Sequence, residues 1–454
     1  MSYDLVVKHG LVVTAGETFV ADVAVTGERI AAIGHDLSGP RELEARGLYV
    51  LPGAVDGHVH LTDPTYPPYS IPTADSFATA SVAAACGGVT TLIDFAQPPP
   101  GQSLLEALDR RQEDADGQTV IDYGLHLCLR DPDPARLQEF PAVIARGVPS
   151  FKFFMAYDGY RLDDAALFRA MEAVAAQGGL AIVHAENFDI IQELRRRLAA
   201  EGKTGPRWHV QACPSITEGE AVHRALALAR LAGARLLIYH QSCQEGVAEL
   251  RQAKADGQAV FGEVCIQYLI LTDEVYAADD LRAQALMVSP PLRDPAHQAA
   301  LWAGLADGAL DIVSTDHNPR HVQPASDGQP AYHPAGTSSI ETRLALLHTF
   351  GVRAGRLSLS RWVDTCCTRP AQVFGLARKG RLTPGADADL VLFDPNRPVT
   401  LSTRTLHSSI DFCTYDGLAL MGFPVTTISR GEVIVADGRF VGRPGRGRFI
   451  ERAY

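Results

Sequence analysis

The chain has 454 residues, 46 % hydrophobic and 21 % charged, the make-up of a globular protein of two or three domains or one large barrel with an appendage. A formal charge of −12 argues against nucleic acid as a partner, because phosphate binding needs clustered positive charge. The eight cysteines are scattered without a CxxC pair, no signal-peptide pattern follows Met1, and no apolar run approaches the ~20 residues of a membrane span, so a cytoplasmic protein with reduced thiols and no membrane anchor is expected.

Residues 1–52 read as short β-rich runs between Gly turns: Asp4–Val7, Leu11–Val13, Val20–Val25 and Arg29–Ile33, a small antiparallel sheet. The middle, 53–376, alternates strands with helices. Strands are predicted at Ala54–Val55 running into a histidine pair, then at Thr90–Phe95, Tyr123–Leu129 and Phe151–Met155. Leu180–Val183, Arg235–Tyr239, Ala259–Val264 and Asp311–Ser314 complete the series. Between them lie helical patterns such as Thr73–Cys86, Ser103–Ala115, Asp164–Gln177, Thr217–Ala232 and Pro295–Ala306. About eight β/α units close a barrel. An open doubly wound sheet would carry a Gly-rich phosphate loop after its first strand, and none is present. Residues 377–454 return to β texture in Ala388–Phe393, Thr426–Ile428 and Val433–Val435. The expected fold is α/β: a (β/α)8 TIM-like barrel over 53–376, with a small β-sandwich domain built from both termini, 1–52 and 377–454. The triplet Arg195-Arg196-Arg197 reads as a solvated helix face, and the basic tail Arg443–Arg452 as a surface or subunit-contact segment.

Candidate metal donors recur at strand ends. In Val55-Asp56-Gly57-His58-Val59-His60 the two imidazoles stand at i and i+2, on one face of an extended chain. Lys152, His184, His240 and Asp316 close later apolar runs. They follow the first, fourth, fifth, sixth and eighth strands, and in such barrels reacting groups sit at the C-terminal strand ends. Nitrogen and oxygen donors of this kind suit zinc, and also manganese, cobalt or iron. A lone histidine reads as a core or surface residue, which is the reading given to His9, His35, His126, His209, His223, His297, His348 and His407. Five donors ending strands of one barrel do not fit that reading. Lys152 sits in Ser150-Phe151-Lys152-Phe153-Phe154-Met155, where burial lowers an amine's pKa and leaves a neutral nucleophile that can capture carbon dioxide as a carbamate. Asp316, in Ser314-Thr315-Asp316-His317, is placed to take a proton from metal-bound water. His317 points elsewhere on a continuing strand.

Several of these segments together resemble the binuclear-metal amidohydrolases, and within them the dihydropyrimidinase/hydantoinase branch. They are Pro52–His60, Ser150–Tyr157, His184-Ala185-Glu186-Asn187, Gly262–Leu269, Ser289-Pro290-Pro291-Leu292-Arg293 and Ser314–His317. Gly385–Val391 and Gly431–Val435 extend the likeness over nearly the whole chain. The resemblance implies two divalent cations bridged by a carboxylated Lys152, one held by His58, His60 and Asp316 and the other by His184 and His240. It implies hydrolysis of a cyclic amide, a dihydropyrimidine, hydantoin or related imide or ureide, by a bridging hydroxide whose proton Asp316 takes. Tyr157 would steady the substrate carbonyl, and Ser289 and Ala335 would engage the ring amide largely through backbone groups. It further implies a homo-oligomer, tetramer or dimer.

Three departures bear on specificity. Ala335 stands where relatives commonly carry Asn, Cys265-Ile266-Gln267 replaces Cys-Pro-Gln, and the loop Thr62–Pro72 is unlike a typical hydantoinase entry loop. Tyr66, Tyr69, Phe154, Tyr157 and Tyr160 are expected to wall a pocket for rings with apolar or aromatic substituents. Dihydroorotase is disfavoured, because Thr62 stands where that enzyme has an arginine for the substrate carboxylate. The alternatives are an allantoinase-like ureide hydrolase and a non-catalytic scaffold related to dihydropyrimidinase, which would have lost metal donors.

Overall fold

The computed structural model describes residues 3–62, 72–130, 133–278, 280–321 and 336–454. Five strands come first: β1 (Leu5–Val13), β2 (Thr18–Thr26), β3 (Arg29–Gly34), β4 (Glu42–Glu44) and β5 (Tyr49–Pro52). The first three pair antiparallel, as expected, whereas β4 and β5 run parallel to β1. The two runs predicted at Asp4–Val7 and Leu11–Val13 are one strand. A register shift between Val7 and Gly10 absorbs the polar Lys8-His9 step, with His9 in a left-handed conformation at φ 58°.

Eight parallel strands follow: β6 (Ala54–Asp56), β7 (Val89–Ala96), β8 (Asp122–Cys128), β9 (Ser150–Phe154), β10 (Leu180–His184), β11 (Arg235–Ile238), β12 (Val260–Cys265) and β13 (Ile312–Ser314). From β7 onward each lies within one residue of its predicted bounds. Nearly every residue in them is buried on both faces, which is what helices packed over a parallel sheet require. Helices such as Leu104–Ala115, Asp164–Ala175, Ser215–Ala232 and Pro295–Asp307 provide that cover. The ring closes beyond the ends of β6 and β13, where Val59 bridges His317 and His60 N donates to His317 O (2.9 Å). Phe95, Tyr239 and Phe374 belong to the apolar cluster that lies between the barrel strands.

The chain ends with β14 (Leu390–Thr400), β15 (Ala419–Ser429), β16 (Glu432–Ala436) and β17 (Arg439–Phe440). Together with β1–β5 they make one mixed nine-stranded sheet, with a buried cluster of its own around Leu5, Val23, Val50 and Leu390. Strand β5 is the seam, parallel to β1 and antiparallel to β14. The chain leaves it through Gly53, where a Cβ would come within 2.1 Å of Thr90 Oγ1, so only glycine passes. Sheet and barrel are pinned by the buried Lys379, whose Nζ reaches Asp122 (2.6 Å), Asp389 (2.8 Å) and Asp387 (3.0 Å).

The basic tail corrects a sequence expectation. Arg443 is exposed, but Arg452 is buried, donating to Leu125 O, to Ser150 Oγ (2.9 Å) and to Phe374 O (3.3 Å). Ile450 N also bonds Tyr123 O (2.7 Å), so the end of the tail lies along β8 with Arg452 buried, while Arg443 and Arg448 stay at the surface.

Candidate metal centre

Strand β6 ends at Asp56, leaving His58 and His60 on the extended segment just beyond it. Gly57 is required there: a Cβ would stand 2.1 Å from the Phe374 ring. Asp56, fully buried, accepts from Thr315 Oγ1 (2.8 Å), which fastens the histidine segment to the turn that carries Asp316. His58 Nε2 and His60 Nε2 then converge on one oxygen of Asp316, at 3.3 and 3.4 Å. On its other side His58 Nδ1 donates to Glu263, 3.1 Å from each carboxylate oxygen, which leaves Nε2 as the free donor atom.

The second pair is built on β10 and the end of β11. His184 Nδ1 and His240 Nε2 face each other at 2.8 Å, while His184 Nε2 is held by Glu186 (2.8 Å). Glu263 also accepts from the backbone N–H of His240 (2.9 Å), so one buried carboxylate links the two histidine pairs. His58 and His240 ring centroids lie 5.7 Å apart. Lys152 projects from β9 into the same space, 1 % exposed, its Nζ 4.2 Å above the Tyr239 ring and with no hydrogen-bond partner among the described residues. His58 stacks on that ring too, at 3.9 Å. Burial without a hydrogen-bond acceptor among the described residues penalises the ammonium and makes the neutral, nucleophilic amine easier to reach than in water.

The electrostatics follow from burial and neighbours. Burial brings Lys152 down to about 8 against the pull of Glu263. Burial works to raise Asp316, but His58 and His60 outweigh it and hold the carboxyl below its usual range. His240 is pushed well down by burial, then by His184 and Lys152, and His184 is lowered by burial against Glu186. Neutral imidazoles and an ionised carboxylate are the forms that ligate a divalent cation.

Of the residues expected to touch substrate, Tyr157 lies beside His184, ring centroids 4.7 Å apart. Tyr157 (φ 73°), His240 (φ 42°) and Asp316 (φ 45°) all hold left-handed backbone conformations, strain that gathers at functional sites. Ser289 Oγ is buried without a hydrogen-bond partner among the described residues. Its loop is anchored by Arg293, which donates to Glu218 (3.0 Å), Ser242 (3.1 Å) and Cys213 O (2.5 Å). Phe154 and Tyr160 pack together at 5.1 Å. Ala335, Tyr66 and Tyr69 lie outside the described residues. His126, His209 and His348 are buried and hydrogen-bonded, in keeping with their reading as core residues. His317 points away from the cluster to Asp75 (3.0 Å).

The model of the amidohydrolase family matches residues 49–434. The chain belongs to the amidohydrolase family. It is 40 % identical to the D-hydantoinase of Streptomyces coelicolor, covering 100 % of this chain and 99 % of that one. Identity to the D-phenylhydantoinase of an Escherichia coli strain is 38 %, over 99 % and 98 % of the two chains. The crystal structure of the D-hydantoinase from Bacillus sp. AR9 superposes with a TM-score of 0.96 at 40 % identity, covering 99 % of both chains.

Membership in the amidohydrolase family implies a binuclear metal centre, and the donor set fits one. It offers two imidazole pairs, one carboxylate between the first pair, and a buried amine with no hydrogen-bond partner among the described residues. Glu263 and Glu186 were not singled out as functional in the sequence. The signal was there: a lone carboxylate in the buried run Val260–Cys265, and another two residues after a ligand-type histidine.

Proposed function

We propose that this protein is a metal-dependent hydrolase that opens cyclic amides of the hydantoin and dihydropyrimidine class. The observation that carries the reading is the convergence of His58, His60, Asp316, His184 and His240 near the buried Lys152, whose amine has no hydrogen-bond partner among the described residues. Full-length likeness to proteins named D-hydantoinase and D-phenylhydantoinase supports the ring class and favours neither an allantoinase-like enzyme nor a non-catalytic scaffold.

In this reading His58, His60 and Asp316 would hold one divalent cation and His184 and His240 the other, and a carboxylated Lys152 would contribute an anionic oxygen donor. Zinc is the proposed metal. When bound, the pair polarises the ring carbonyl and makes water a competent nucleophile near neutral pH. The residues do the rest. Asp316, kept ionised by His58 and His60, accepts the proton of the attacking water and passes it to the departing ring nitrogen. Tyr157 donates its hydroxyl to the carbonyl oxygen as negative charge grows there. Ser289 and the backbone at Ala335 take the –CO–NH– edge of the ring, while Phe154 and Tyr160 offer an apolar wall to a substituent. Water adds across the C–N bond, so a hydantoin leaves as its N-carbamoyl amino acid. We further propose a cytoplasmic homo-oligomer, dimer or tetramer. Among the described residues no helix is long and apolar enough to cross a membrane.

The test is ring opening by metal-loaded protein of dihydrouracil, a 5-aryl hydantoin, a cyclic imide and allantoin, with Ala335→Asn in parallel. The expected result is a higher kcat/KM for the aryl hydantoin than for dihydrouracil, because Ala335 leaves more room than Asn. No opening of any ring would overturn the function; preference for dihydrouracil, unchanged in Ala335→Asn, would overturn only the specificity.

A further inference from the structure

Behind the turn that carries Asp316 lies a fully buried, hydrogen-bonded Asp–His pair that the proposed chemistry does not use. Asp75 precedes the first barrel helix, Phe77–Cys86, and accepts four hydrogen bonds. One oxygen receives Thr79 Oγ1 (2.8 Å) and Ser409 N (2.8 Å); the other receives Ser408 Oγ (2.5 Å) and His317 Nε2 (3.0 Å). Both lone-pair sites of each oxygen are thereby used. His317 has no freedom left either: its Nδ1 accepts from Ser339 N (3.2 Å), so the proton must sit on Nε2, toward Asp75. Neither side chain has any exposure to solvent.

The backbone of His317 is the closing point of the barrel. It bridges Val59 and Thr337, and its carbonyl accepts from His60 N (2.9 Å). Asp316 is the residue immediately before it, in a left-handed conformation that a non-glycine residue keeps only when its surroundings fix it. Ser408 and Ser409 come from elsewhere, the connection between β14 and β15 of the terminal sheet. That connection is pinned one residue earlier, where Glu341 receives both His407 Nδ1 (2.8 Å) and His407 N (2.7 Å).

We propose that Asp75 and His317 are positioning residues for Asp316, and that Ser408, on the β14–β15 connection of the terminal domain, completes the device. The terminal domain is then part of the catalytic apparatus and not only a stabilising appendage. Thr79, His317, Ser408 and Ser409 together hold the Asp75 carboxylate in one place. That carboxylate fixes the His317 ring, and the ring fixes the backbone on which Asp316 and the His60 contact depend. Losing one support leaves the substrate contacts intact and displaces the proton-accepting carboxylate. A displacement of about 1 Å at a reacting group costs on the order of 100-fold in rate.

The inference rests on the reading that Asp316 works in the hydrolysis, so Asp316→Asn is run beside it on a hydantoin substrate. The test compares kcat, KM, bound metal and melting temperature of the full-length metal-loaded protein with Asp75→Asn, Ser408→Ala and Ser408→Thr. With metal saturating, Ser408→Ala is expected to lower kcat roughly 10-fold and Asp75→Asn about 100-fold at the wild-type KM, and both variants should need more free metal because Asp316 is also a proposed metal donor. Ser408→Thr, which keeps the hydroxyl, should restore kcat. If Asp75→Asn fails to fold, Ser408→Ala and its rescue decide. Folded, metal-replete Ser408→Ala with wild-type kcat, or a loss that Ser408→Thr does not restore, overturns the proposal. If Asp316→Asn itself turns over normally, it is the role of Asp316 that fails.

Discussion

Glu263 gives the sharpest test of how the metal centre is held together. Its carboxylate takes the Nδ1–H of His58 on both oxygens at 3.1 Å and the backbone N–H of His240 at 2.9 Å, in a site with no solvent exposure. Glu263→Gln preserves shape but leaves a single accepting oxygen. One of the two donors must then face an amide NH2 in a buried site. A hydrogen bond to a charged group contributes about 1.5–3 kcal/mol, and tenfold in affinity corresponds to about 1.4 kcal/mol, so the loss should be roughly 10–150-fold. That overlaps the roughly 10–100-fold typical when the residue orienting a metal-binding histidine is removed. Titrating activity and bound metal against a chelator buffer measures it. The expected result is a shift of the metal-dependence curve to higher free metal, with kcat at saturating metal nearly restored. A Glu263→Gln protein with wild-type metal affinity would refute the argument, because His58 would then not need its partner.

Other outcomes follow from the same geometry. Asp316→Asn should bind substrate yet lose about 10²–10⁴ in kcat, and Tyr157→Phe about 10²–10³, both read by steady-state kinetics; near-normal turnover in either would require a different residue in that role. His407, contacted by the Cys86 thiol and the Glu341 carboxylate, has its pKa raised from 6.5 to about 10. A raised folded-state pKa adds stability that is complete below the unfolded value and disappears as pH rises through the folded one. The melting-temperature advantage of wild type over His407→Gln should therefore be full at pH 6, shrink above 6.5 and vanish beyond about 10. An advantage that grows with pH would show the sign to be wrong.

Much of this molecule is legible in its residues, for physical reasons. Barrel strands are short apolar runs because both faces are covered, and their bounds are marked by the polar turns and helix starts around them. Four histidines and Asp316 are legible because they end such runs or follow them directly, whereas Lys152, expected to close its run, stands in the middle of β9 and is legible only as a lone charge among apolar residues. What escapes is set by contacts between distant residues. Asp75 and His317 are 242 positions apart, and neither stretch says they are partners. Arg452 looks like part of a basic surface tail, and only the carbonyls of Leu125 and Phe374 and the Ser150 hydroxyl reveal why it is buried. Strand β14 seems to end at Phe393 because Pro395 and Pro398 follow. It continues to Thr400 because the ladder shifts register between Asp394 and Pro398, taking Pro395 out of the pairing, and resumes at Pro398 opposite Met421.

The central claim is that Lys152 joins the two histidine pairs into one binuclear centre. The measurement is metal content per protomer and turnover of wild type and Lys152→Ala after loading with metal and bicarbonate. The account predicts two bound metals in wild type, loss of bridging and of activity in Lys152→Ala, and partial recovery when a short carboxylic acid is supplied with metal. A Lys152→Ala protein that keeps both metals and wild-type turnover would contradict it.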